Sequence, residues 1–356
     1  MVILLEPICS AWVHEEVNAG FLKLVSENTK QEVVYIGEKE HLRCVKRIWS
    51  DNCVNYMALT KTVPQGDADR YENTIYYFRL LSDVLVRYKP DILFVLCGYR
   101  PCILAAEIAS ALFPKTKIKQ VIHGMIEEKK GRAESYARLF ANSVFCQNLS
   151  FITYSPYCTD DYWKLKKNKF VFLDHPYIKD KEDKAVSASK SDSNVARIGI
   201  VGACANAKAF KLISMVNKRN LDDKYEFWII SKYGEQFKKL GNVKILETEF
   251  DRKNKNQMIR NMDYLLLPYG RDEYRQSASG VLWDAISNRI PCFMLDCRYF
   301  AYYAPYKIGY RAENLGELCE IICRKIRNKK EKDEALFTDI DKIEDERRKK
   351  VKELLQ

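Results

Sequence analysis

Residues 89–96 read Lys-Pro-Asp-Ile-Leu-Phe-Val-Leu, a break followed by an apolar run with no polar residue in it. A continuous run of this kind predicts a strand over Ile92–Leu96 buried on both faces, as in the interior of a parallel sheet. Before it, Asp69–Tyr88 carries apolar residues at helical spacing and predicts a long helix. After it come a helix from Pro101 to Leu112, a stop at Pro114 and a strand over Lys119–Ile122. The same unit is read on either side: a strand at Val33–Ile36, a helix through Ala133–Phe145, and strands at Phe151–Tyr154 and Phe170–Leu173. Strand and helix in alternation predict a parallel sheet with helices on both faces.

The composition then changes. Asp180–Ser193 reads DKEDKAVSASKSDS, nearly free of large apolar residues, which marks a linker. Beyond it the alternation restarts, with strands at Arg197–Val201, Phe227–Ile230, Val243–Leu246, Tyr264–Pro268 and Cys292–Leu295, and a helix at Lys208–Lys218. The chain therefore divides into residues 1–180, a linker at 181–194, residues 195–330 and a charged C-terminal helix at 331–356. Charge of both signs and few apolar positions predict that this last helix is solvated.

Length and composition agree. At about 150 residues per domain, 356 residues make roughly two domains. Hydrophobic residues at 47% and charged ones at 30% exclude a disordered chain, a collagen-like fibre and a small disulfide scaffold. The net charge of +11 favours anionic partners without naming them. Most of the twelve cysteines sit singly in apolar runs, as buried small hydrophobes do, and no CxxC pair suggests zinc. The opening MVILLEPICS lacks a basic leader, and no apolar stretch nears the ~20 residues of a membrane span. These features read as a reducing cytoplasm.

In open parallel sheets ligands bind where strands end at their carboxyl side. Four such places carry polar residues. Gly202-Ala203-Cys204-Ala205-Asn206-Ala207-Lys208 follows a strand and opens a helix, where free N–H groups and a lysine suit a diphosphate. It is not a GxGxxG fingerprint, and a surface lysine on a first turn has the same sequence. Gln276-Ser277-Ala278-Ser279-Gly280 precedes an apolar helix; Ser277 or Ser279 caps it, and Asp284 lies just over one turn further in. His123 closes a buried strand and is followed by glycine, a place for a catalyst or for a structural histidine. His14, Glu15 and Asn18 lie where the first strand meets the first helix, facing an acceptor or simply favouring the helix dipole.

These residues carry a resemblance. The chain resembles the GT-B glycosyltransferases, most closely the retaining, family 4-like enzymes of bacterial surface polysaccharide synthesis. The match spans both halves and is most specific over Asp263-Tyr264-Leu265-Leu266-Leu267-Pro268-Tyr269, Ser279-Gly280-Val281-Leu282-Trp283-Asp284-Ala285 and Pro291. It implies two Rossmann-like domains facing each other across a cleft. It implies a nucleotide-sugar donor held by Gly202, Lys208, Tyr269, Ser277, Ser279, Gly280 and Asp284. His123 and Gln276 would stand at the transferred sugar, and His14, Glu15 and Asn18 on the acceptor side. Gln276 and Asp284 replace the family's two glutamates, Gly202-Ala203 lacks its arginine, and Arg289 replaces a glycine.

The expected activity is transfer of a sugar from a nucleotide-sugar to a glycan or lipid-linked acceptor, with no cofactor, no metal and no nucleic acid. Asp160-Asp161 has the wrong spacing for a metal-binding Asp-x-Asp and reads as a helix cap. A nucleotide-sugar 2-epimerase and a non-catalytic assembly subunit are the alternatives that share the architecture. Lys115, Lys117, Lys119, Lys129, Lys130 and Arg132, with Lys164, Lys166, Lys167 and Lys169, suggest reversible attachment to an anionic membrane surface at the inner face.

Overall fold

The apolar run after Lys89-Pro90-Asp91 is a strand, β4 (Ile92–Val95), with every residue buried. It belongs to a sheet with β1 (Val2–Leu5), β2 (Val33–Gly37), β3 (Val54–Ala58), β5 (Lys117–Ile122), β6 (Leu149–Thr153) and β7 (Phe170–Phe172). The computed structural model describes residues 1–11, 13–96, 98–122, 138–139, 143, 146–157, 169–178, 195–219, 221, 224–246, 252–270, 273–274, 278–328 and 336–356. Strand order is β3-β2-β1-β4-β5-β6-β7, and every pair is parallel. Central position explains the unbroken apolar sequence of β1: Val2 pairs with Val33 on one side and with Ile92 on the other. At the edge, β3 is mostly solvent-accessible, and its weaker pattern escapes the sequence reading.

The helices of this unit are α1 (Glu15–Asn28), α2 (Lys39–Ile48), α3 (Thr74–Tyr88) and α4 (Arg100–Leu112). The helix expected from Asp69 starts instead at Thr74, after a short 3-10 turn at Tyr71–Asn73. The reason is that Asp69 is occupied elsewhere. Its carboxylate receives Arg100 Nε at 2.9 Å and Nη2 at 2.6 Å, tying the preceding loop to the start of α4.

A second sheet holds β8 (Ala196–Val201), β9 (Tyr225–Ile230), β10 (Val243–Leu246), β11 (Tyr264–Leu267), β12 (Cys292–Leu295) and β13 (Gly309–Ala312). Its order is β10-β9-β8-β11-β12-β13, all parallel. With it run α5 (Ala207–Asn217), α6 (Arg252–Arg260), α7 (Gly280–Asn288), α8 (Arg298–Tyr302) and α9 (Leu315–Arg327). In its own strand numbering each sheet thus contains the order 3-2-1-4-5-6, to which the first adds a seventh strand. The direction reverses between the first strand and the fourth, which is the Rossmann-like plan. Edge strand β13 begins at Gly309, where φ is 151°. A Cβ there would stand 2.1 Å from the Cys292 carbonyl oxygen of β12.

The C-terminal helix corrects the sequence reading. Helix α10 (Ile340–Leu354) is not a solvated element: Ile340, Ile343, Arg347, Val351 and Leu354 are all buried. Their spacing of three or four makes one continuous seam. Arg347 lies over the Tyr177 ring at 4.6 Å, and Lys350 approaches Asp174 at 3.9 Å. Residues 342–356 accordingly form one unit with residues 1–178, while residues 179–274 and 279–341 form the other.

Cys9, Cys102, Cys204, Cys292, Cys297, Cys319 and Cys323 are buried free thiols. Among the described residues no helix is long and apolar enough to cross a membrane.

One buried acid in the first unit predicts a pH effect. Glu107 on α4 is 8% exposed, and its Oε1 has no hydrogen-bond partner among the described residues. Burial pushes its carboxyl up from 4.5 to about 7. Between those values the folded chain holds a proton that the unfolded chain has released, so stability falls as pH rises. The cost is complete above about pH 7 and is on the order of 2 kcal/mol after solvent screening. Urea denaturation at pH 5 and pH 8 should show that loss in the wild type and little of it in Glu107→Gln. Equal pH dependence in both would refute the assignment.

Candidate functional site

In the second unit the switch point lies between β8 and β11, and the candidate donor residues gather at their carboxyl ends. Gly202 follows β8 with φ at +55°, a conformation natural to glycine, and starts the turn that leads into α5. Asn206 caps that helix: its Oδ1 accepts from the backbone N–H of Lys208 at 3.0 Å and of Ala209 at 3.1 Å. The Lys208 ammonium reaches the loop after β11, where it pairs with Glu273. The same carboxylate accepts the Gly270 N–H. Lys208 remains 40% exposed, so solvent reaches it.

Cys204 and Tyr269 join the two loops from below. Their Sγ and hydroxyl lie 2.9 Å apart in a buried contact. Burial pushes the Cys204 thiol up to about 12, with the Tyr269 hydrogen bond opposing and the Asp284 and Glu273 charges adding. Burial also raises the Tyr269 hydroxyl well above its ordinary value, and neighbouring Cys204 adds to this. Neither group is an acid or base at neutral pH. The Tyr269 ring packs on Tyr274 at 4.3 Å and on Phe300 at 5.9 Å between centroids. It is a wall, fixed on three sides.

Ser279 caps α7, accepting the Leu282 N–H at 3.3 Å, and it is fully buried. Gly280 next to it is exposed, with no atom within 4 Å of where a Cβ would stand. That leaves open space at the start of an apolar helix, where backbone N–H groups attract anions. Asp284 is 12% exposed and held by Lys255 of α6, whose ammonium is 3.3 Å from each carboxylate oxygen.

The switch point of the first unit holds a different chemistry. Glu6 follows β1 directly and is fully buried. Its Oε1 accepts the N–H groups of Ile8 and Cys9, both at 2.9 Å, and its Oε2 accepts Asn18 Nδ2 at 3.0 Å. Asn18 gives its other amide hydrogen to His41 Nε2 at 3.0 Å, and the Tyr35 hydroxyl lies 3.1 Å from the same nitrogen. His41 Nδ1 lies 2.9 Å from the Ala11 carbonyl oxygen, so it carries the ring proton. The result is a closed knot of buried hydrogen-bonded groups.

Asn18, expected to face an acceptor, is thus inside that knot at 3% exposure. Glu15 turns to the Cys44 thiol of α2, whose pKa is raised chiefly by burial and then by Glu15. His14 takes a left-handed conformation (φ 54°) as the residue before α1, with Nδ1 at 3.7 Å from Cys9 Sγ. Burial lowers its pKa, against the pull of Glu6.

His175, after β7, is a buried histidine the sequence reading passed over. Its ring tilts against Tyr154 at 5.3 Å, and burial, Arg347 and His14 bring its pKa down to about 3. The sequence signals for Glu6 and His175 were of one kind: a titratable residue just past an apolar strand.

His123, Gln276 and Ser277 lie outside the described residues, as do Asp160-Asp161. Among the described residues no group of three His, Cys, Asp or Glu side chains is placed to hold a metal ion.

No protein-family model and no curated protein sequence matches the chain. Solved structures do match in fold. A glycosyltransferase from Rickettsia africae ESF-5 superposes with a TM-score of 0.62 at 12% identity, covering 98% of this chain and 93% of that one. UDP-GlcNAc 2-epimerase from Neisseria meningitidis, bound to UDP-GlcNAc, gives 0.59 at 14% identity over 93% of this chain and 92% of its own. The enzyme of that name from Methanocaldococcus jannaschii gives 0.59 at 12% identity over 100% and 98%. The two parallel sheets and these likenesses together make the chain a two-domain, Rossmann-like protein of GT-B fold, the fold of glycosyltransferases and of UDP-GlcNAc 2-epimerases alike.

Proposed function

We propose that the chain is a metal-independent glycosyltransferase, taking a sugar from a nucleotide-sugar held by its second unit. One observation carries this reading: Lys208, the capped start of α5 and the open start of α7 all lie around the carboxyl ends of β8 and β11. Breaking the glycosidic bond leaves charge on a diphosphate, and fixed N–H donors with a nearby ammonium stabilise that charge. One such donor is typically worth about 2.7–4 kcal/mol in the transition state. Glu273 pairs with Lys208, so a donor diphosphate there would compete with that carboxylate for the ammonium. Asp284, deeper on α7, is suited to accept ribose hydroxyls with Lys255 holding its orientation. The acceptor is a glycan or lipid-linked saccharide of a surface polysaccharide, met at the inner face of a membrane.

Calorimetry with a panel of nucleoside diphosphates tests the donor site. Lys208→Ala should weaken binding at least tenfold, and Asp284→Asn should weaken it moderately, with the fold intact. Unchanged affinity in Lys208→Ala would remove the diphosphate from this place. The 2-epimerase reading has its own support, because two such enzymes match the fold nearly as well as the glycosyltransferase does. Incubation of nucleotide-sugars without acceptor separates the two: an epimer would establish the second reading, and transfer only on adding acceptor the first. Binding of no nucleoside diphosphate at all would leave an assembly subunit.

A further inference from the structure

The first unit has a basic groove at the opposite end of its sheet, away from the carboxyl ends of the strands. Its volume is about 460 Å³, and Lys115, Lys117, Lys119 and Lys169 line it together with Asn148 and Ser150. The topology brings these lysines together. Lys117 and Lys119 are two apart on β5 and so share a face. Lys119 pairs in register with Ser150 of β6. Lys169 stands one position before Phe170, which pairs with Phe151, and therefore extends the same row across a third strand.

Packing fixes the rim. Asn148 Nδ2 donates to the carbonyls of Phe113 at 3.1 Å and Thr116 at 2.7 Å. Lys169 donates to the Leu149 carbonyl at 2.9 Å and to that of Cys146. Lys117 donates to the Gln356 carbonyl oxygen. The Phe113, Thr116, Cys146 and Leu149 acceptors are peptide carbonyls. No carboxylate is among the described residues lining the groove. Burial lowers the pKa of Lys119, and the charge of Lys117 lowers it further.

Lys117 and Lys119 repel each other on one face of β5, with Lys119 partly desolvated. An anion with several acceptor oxygens reverses that cost, and compact ammonium groups suit phosphate. We propose that this groove is a binding site for a phosphate group, separate from the candidate donor site. A phosphate on a soluble metabolite and one in a phospholipid headgroup offer the same chemistry to these lysines. The other basic residues of the two sequence clusters lie outside the described residues.

The test uses the full chain carrying Lys208→Ala, so that the donor site does not contribute. Inorganic pyrophosphate is titrated by calorimetry at low salt, and co-sedimentation is run with phosphatidic acid vesicles and with neutral phosphatidylcholine vesicles. Pyrophosphate should bind, and adding Lys117→Gln and Lys119→Gln should weaken it about tenfold or more, with a thermal midpoint no lower than before. Adding Lys117→Arg and Lys119→Arg instead should retain binding. Sedimentation with phosphatidic acid alone, lost in the Gln variant, would make the source a headgroup; pyrophosphate binding without sedimentation would make it a soluble phosphate. Absence of both, or equal binding by the Gln variant, would overturn the site.

Discussion

Glu6→Ala is expected to destabilise the first unit by about 3–5 kcal/mol, since each buried donor left without an acceptor costs about 1–3 kcal/mol. Three donors are affected: the Ile8 and Cys9 N–H groups and the Asn18 amide. The damage should spread, because Asn18 also orients His41, and the Tyr35 hydroxyl lies 3.1 Å from the same ring nitrogen. Glu6→Gln preserves one acceptor oxygen for the two N–H groups but turns an amide donor towards Asn18, so its loss should be smaller. Amide exchange distinguishes this outcome from general loosening. Protection should fall first over β1, α1 and the start of α2, while β8–β13 keep theirs. A loss below about 1 kcal/mol in Glu6→Ala would show that water readily replaces the carboxylate.

Gly309→Ala should be the most damaging small substitution in the second unit. Its new Cβ would stand 2.1 Å from the Cys292 carbonyl oxygen and 2.4 Å from the Cys292 nitrogen, both on the backbone of β12. No rotamer relieves a clash with backbone, and φ of 151° is itself strained for alanine. Either β13 leaves the sheet or the strand pair shifts. Both forfeit the register of Cys292 with Gly309 through Leu295 with Ala312. The expected loss is upwards of about 3 kcal/mol, the range of severe single substitutions. Denaturation followed at Trp228 and Trp283 reports on this unit. A midpoint unchanged from wild type would mean that β13 is dispensable.

Much of the fold was legible because its strands are buried on both faces and therefore apolar throughout. Ile92–Leu96, Tyr264–Pro268 and Cys292–Leu295 needed only that pattern. Edge strand β13 did not show it, and neither did β3. The C-terminal helix misled because Arg347 occupies a position in its buried seam, where an aliphatic residue would have declared the face. At the candidate site, sequence indicated which turns matter but not who meets whom. Lys208 and Glu273 are separated by 65 residues, as are Cys204 and Tyr269, and no local spacing rule joins them. For Asn18, a place near a strand end suggests a ligand, while its amide meets Glu6 and His41, partners that local spacing does not reveal.

The membership of α10 in the first unit has a consequence for synthesis. Chains emerge from the ribosome at about 5–20 residues per second, and domains generally fold as they appear. Residues 1–178 emerge early, yet the helix that covers Tyr177 and Asp174 is made only after all of residues 179–341. The first unit therefore waits, incomplete, through translation of the whole second one. A nascent chain halted before residue 340 would present that uncovered face to chaperones and proteases.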